Sequence, residues 1–184
     1  MKLTLVAALA LGVTLAGISL AQTQVAPETH PVGDIPDSQA FVRYASAAGH
    51  YSLEVPEGWA RSVKGTDVSF TSKLGGVAVL SSKASAAPTV GSVKAREVPL
   101  LGKTIKDMKV VALKDVKLPA GPAVLVKFTS TGAVNAVTGR ATRQENDLYV
   151  LAKNGTQVML RFSAPLGADN VDAWKRMADS FQWK

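Results

Sequence analysis

Between Phe41 and Lys83, and again between Val110 and Ala164, the chain is cut into short runs rich in β-branched and aromatic residues. The joints between most of these runs are short and polar or glycine-rich, such as Lys64-Gly65-Thr66, Leu74-Gly75-Gly76 and Lys153-Asn154-Gly155-Thr156. A parallel crossover needs a dozen or more residues, so runs joined this tightly must lie antiparallel to one another. Asn154-Gly155 is the strongest of these signals, because both residues tolerate the positive φ of a type I′ turn. It predicts a hairpin of 144–152 ("QENDLYVLA") on 157–164 ("QVMLRFSA").

The same reasoning gives a hairpin of 41–46 on 51–56 ending at Pro56, with Tyr51, Leu53 and Val55 alternating against Ser52 and Glu54. It gives strands over 60–63, 68–72, 77–83, 110–118 and 123–130, with 131–139 as a small-residue loop. Helical spacing of Val90, Val93, Val98, Leu101, Ile105 and Met108 predicts a helix over 90–108, kinked or split where Pro99 and Gly102 interrupt it. A last helix over 170–180 is expected to be capped by Asp169 and to bury Val171, Trp174, Ala178 and Phe181.

Ahead of this pattern stand Lys2, an apolar run from Leu3 to about Leu20, and a small-x-small site at Ser19-Leu20-Ala21. That is the pattern of a secretory signal peptide over 1–21, cleaved near Ala21 to leave Gln22 first and to place the protein extracytoplasmically, periplasmic or secreted. The sequence contains no cysteine, hence neither a lipidation site nor a disulfide. Residues 22–40, with three prolines among the first seventeen, read as a flexible tether to a domain over 41–184. About 160 residues remain after cleavage, enough for one domain with a core.

The order of "FVRYAS…GHYSLEVPEGW", "VSFTS…GVAVLSS", "LPAGPAVLVKF", "NDLYVLAKNGTQVMLRFSAP" and "AWKRMADSFQWK" resembles the PsbP-like family, whose fold is shared with the Ran-binding Mog proteins and with bacterial extracytoplasmic proteins. The resemblance implies an α+β protein, an α/β/α sandwich with a central antiparallel sheet, and transfers no reaction. Within it Pro56 ends a strand, Glu57-Gly58 turn, and Trp59 folds its ring over the sheet edge.

Chemistry is sparse. His30 lies in the tether and His50 in a hairpin turn, and no metal-ligand spacing joins them, so neither metal nor cofactor is expected. Glu54, Glu57, Glu145 and Asp147 are the strand-borne or strand-flanking carboxylates; Glu145 and Asp147 share one face by parity. Glu145, Asp147 and His50 are the conceivable acid or base groups for a hydrolase, in a cleft between the sheet and the kinked helix. The formal net charge is +7, and Lys94, Arg96, Lys103, Lys106 and Lys109, followed by Lys114 and Lys117, form a basic stretch that would hold an anionic ligand or membrane surface. Nucleic acid is disfavoured by export and by the lack of stacking aromatics. The first expectation is a non-enzymatic exported accessory or binding domain that engages a protein or envelope component.

Overall fold

The computed structural model describes residues 31–134 and 139–184, so the expected signal peptide and residues 22–30 lie outside the described residues. The antiparallel inference holds throughout. Strands β3 (Ala60–Lys64), β4 (Asp67–Thr71) and β5 (Gly76–Lys83) form one meander, and β6 (Lys109–Leu118), β7 (Gly121–Val134), β8 (Ala141–Lys153) and β9 (Thr156–Pro165) form another. They join edge to edge through β5 and β9, giving a seven-stranded sheet in the order β3-β4-β5-β9-β8-β7-β6. At the β8–β9 turn Lys153 faces Thr156, and Asn154 and Gly155 take φ of 51° and 77°, the left-handed pair that a type I′ turn requires. Residues 131–134, expected in a loop, extend β7, while 135–138 lie outside the described residues.

The β1 (Phe41–Ser46) and β2 (Tyr51–Pro56) hairpin stands in a second sheet of order β1-β2-β10, completed by β10 (Gln182–Trp183) beside β2. Tyr51, Leu53 and Val55 are 0–3% exposed because they face the large sheet. Helix α3 (Val171–Asp179) lies in the same layer. The opposite face of the large sheet carries α1 (Val90–Ala95) and α2 (Glu97–Gly102). The result is the expected α+β sandwich, with one outer layer shared between a helix and a small sheet.

Parity within the central strands divides the core. Ala123, Leu125, Tyr149, Leu151, Val158, Leu160 and Phe162 point toward α3 and the small sheet; Val124, Val126, Phe128, Leu148 and Val150 point toward α1 and α2. Strands buried on both faces read as continuous apolar runs, which is why 123–126 and 148–151 show no alternation.

Three local expectations are corrected. The 90–108 helix does split, but at Arg96, which puts Pro99 in the first turn of α2, where a missing N–H removes no helical hydrogen bond. The cap of α3 is Asn170 rather than Asp169, and Val171, 66% exposed, leaves the buried stripe to Trp174, Met177, Ala178 and Phe181. The described part of the expected tether is docked: Ile35 is 8% exposed, and its N–H donates to Asn170 Oδ1 at 2.7 Å. One isoleucine and a partner distant in sequence anchor a segment whose composition alone reads as disordered. Trp59 meets its expectation, half-buried against the core, its Cη2 only 3.3 Å from where a Cβ on Gly75 would stand.

Candidate functional site

Glu145 and Asp147 share a face, as parity requires, but that face looks toward α3 and not toward the split helix. Together with Leu125, Lys127, Tyr149 and Trp174 they line a cleft of ≈350 Å³ between the sheet and α3. Lys127, opposite Asp147 across the ladder, places Nζ 3.0 Å from Asp147 Oδ2. Asp147 is 8% exposed, so this ion pair holds its charge in a setting poor in water. Burial pushes the Glu145 carboxyl upward, opposed by a backbone hydrogen bond from Gly167 and reinforced by Asp147. Tyr149 is pushed up to about 12 by burial and then by Asp147 and Asp179. His50 is elsewhere, exposed in the β1–β2 turn at φ 52°, its carbonyl accepting from the Lys184 N–H at 2.8 Å. The structure therefore brings together two of the three conceivable catalytic groups, one already ion-paired. Glu54 is bound to Arg176 at 2.8 Å, and Glu57 is exposed in its turn.

The raised Glu145 group has a measurable consequence. The folded protein holds this proton more tightly than the unfolded chain, so the associated stability is present below the ordinary carboxylate pKa and is lost as pH rises through the raised value. Glu145→Gln should remove that decline and leave the variant the more stable one at neutral pH. Urea titrations from pH 4 to pH 7 check this; parallel curves for the two proteins would reject it.

The basic residues do not form one continuous face. Lys94, Arg96, Lys103 and Lys106 are exposed along α1, α2 and the turn that follows. Lys109 faces Thr129 across the ladder and Lys114 faces Leu125, which directs both toward the α3 side, while Lys117, opposite Pro122, has the other parity. Glu97 is buried beside Arg96 at 3.6 Å and so is withdrawn from this surface, whereas Asp107, which accepts from Thr131 Oγ1 at 2.8 Å, and Asp115 stay exposed among the lysines.

The expected cleft beside the split helix does exist, on the face that lacks Glu145 and Asp147. It is lined by Arg96, Glu97, Leu100, Leu101, Gln157 and Met159 among others. Glu97 and Asn170 escaped the sequence reading because each is a single polar residue whose burial depends on partners 60 and 135 positions away. Among the described residues no three His, Cys, Asp or Glu side chains gather as metal ligands would.

A layered antiparallel sheet with these helices defines the PsbP/Mog-like fold. The solution structure of cyanobacterial PsbP (CyanoP) from Synechocystis sp. PCC 6803 matches with a TM-score of 0.57 and 17% identity, over 84% of this chain and 99% of that one. The Ran-binding protein Mog1p of Saccharomyces cerevisiae matches with a TM-score of 0.54 and 10% identity, over 79% of this chain and 96% of that one. No protein-family model and no curated protein matches the sequence.

Proposed function

We propose that this chain is an exported, non-enzymatic binding domain that engages a protein or a component of the cell envelope. The observation carrying this reading is the fold, which it shares with a protein that binds Ran. Two features of the chain agree with it. Asp147 is committed to Lys127, and among the described residues no imidazole lines the α3 cleft, which gives a carboxylate hydrolase less support. The N-terminal leader pattern supports export. Contact with an anionic ligand or membrane surface is the second reading, favoured by the exposure of Lys94, Arg96, Lys103 and Lys106.

Affinity capture from envelope extract, with protein expressed from the full chain, separates the two. A protein partner should be retained at both low and high salt. Purely electrostatic retention should fall steeply with salt and disappear when the exposed Lys94, Lys103 and Lys106 are changed to glutamate. Recovery of neither a protein nor anionic envelope material would reject both readings.

A further inference from the structure

The helix layer roofs only part of its sheet face. α1 and α2 cover the strands that carry Val124, Val126, Phe128, Leu148 and Val150. Beside α2 the surface falls into a cleft of ≈610 Å³ reaching to β5 and β9, a volume suited to a small organic ligand. Its apolar lining is Leu101, buried, Met159, half-buried, and Leu100, which is 61% exposed. Lys83 and Arg96 line it as well, both exposed to solvent.

Glu97 is the anomaly in this lining. It is 6% exposed, Oε1 accepts from Gln157 Nε2 at 3.2 Å and lies 3.6 Å from Arg96 Nη2, and the buried Oε2 has no hydrogen-bond partner among the described residues. Carboxylate oxygens removed from water are ordinarily bonded, because desolvating the charge without a partner is costly. The cleft thus sets one buried, under-satisfied anion beside two solvent-facing cations and an apolar lining.

We propose that this cleft binds a free α-amino acid with an apolar side chain. Its ammonium group meets the Glu97 carboxylate, its carboxylate meets Arg96 and Lys83, and its side chain lies on Leu100, Leu101 and Met159. An ammonium and a carboxylate carried on one carbon match the close spacing of the Glu97 and Arg96 charges. The terminal torsion of a glutamate is soft, so Oε2 can turn into the cleft without movement of the backbone. A plain amine would meet repulsion from Lys83 and Arg96, and a plain acid would leave Oε2 unbonded. The site is separate from the partner-binding reading and does not depend on it.

Titration calorimetry on protein expressed from the full chain provides the test, with L-leucine, L-methionine and L-phenylalanine as probes and 2-phenylethylamine and 3-phenylpropionate as half-ligands. At least one amino acid should bind saturably with a millimolar or tighter Kd. Where phenylalanine binds, each half-ligand should bind about tenfold or more weakly than it. Glu97→Gln, which keeps a side chain able to bond Gln157, and Leu100→Ser, at an exposed position, should each weaken the best-bound amino acid by about tenfold or more. If Glu97→Gln does not fold by circular dichroism, Leu100→Ser carries the test. Absence of saturable binding by all three amino acids, a half-ligand as tight as phenylalanine, or unchanged affinity in a folded variant would overturn the assignment.

Discussion

Phe162→Ala is expected to lower the unfolding free energy by about 3–5 kcal/mol, a large part of what a domain of this size possesses. Phe162 is 0% exposed on β9, between β5 and β8 in the large sheet. Its ring stacks on Trp174 of α3 at 5.9 Å and 18° and meets Tyr149 of β8 edge-on at 6.1 Å and 77°. Truncation therefore removes transfer free energy and two aromatic contacts together. The walls have little freedom to close over the gap, since Tyr149 and Phe162 belong to neighbouring strands held in register from Gln144–Pro165 to Lys153–Thr156. Cavities that cannot collapse give the larger costs. Urea titration of the two proteins measures the difference; a loss below about 1.5 kcal/mol would mean that α3 settles into the space, and the packing argument would fail.

What could be read from the residues divides along the range of the interactions. The β8–β9 hairpin was legible because Asn154-Gly155 encodes its own turn, and the β1–β2 hairpin because Tyr51, Leu53 and Val55 alternate. The order of several such segments was enough to suggest the fold. The β5–β9 pairing was not legible, since Gly76 meets Ser163 across most of the domain and nothing local specifies that neighbour. The two-residue β10 was too short to carry a period. The candidate site was less legible still. Parity placed Glu145 and Asp147 on one face correctly but could not say which layer they faced, and a count of lysines along 94–117 ignored that strand alternation sends Lys109 and Lys114 to the other side. Burial of Glu97 and Asn170 depends entirely on tertiary partners, so their polarity gave no warning.

Asn170→Ala should release the segment before β1 while leaving the sandwich folded. Asn170, 2% exposed, holds that segment with both ends of its amide: Oδ1 accepts from the Ile35 N–H, and Nδ2 donates to the Gly33 carbonyl at 3.0 Å. An alanine there leaves a buried donor and a carbonyl without these partners, a cost of about 1–3 kcal/mol that falls on the docked segment first. Amides around Gly33 to Ile35 should then exchange with solvent roughly 5- to 150-fold faster, while those of β8 and β9 keep their protection. Asn170→Asp, which keeps the acceptor for Ile35 and loses the donor to Gly33, should fall between the two. Gly33 supplies an independent check. It sits at φ 91°, and a Cβ placed on it would lie 2.3 Å from Pro165 Cδ, so Gly33→Ala should undock the same residues by collision and not by loss of a bond. If both alanine variants leave exchange near Ile35 unchanged, the segment is held by something other than Asn170 and the close fit at Pro165. If both release it, the domain begins near Gly33 and not at Phe41, and a truncation meant to preserve α3 in its native setting must start ahead of that glycine.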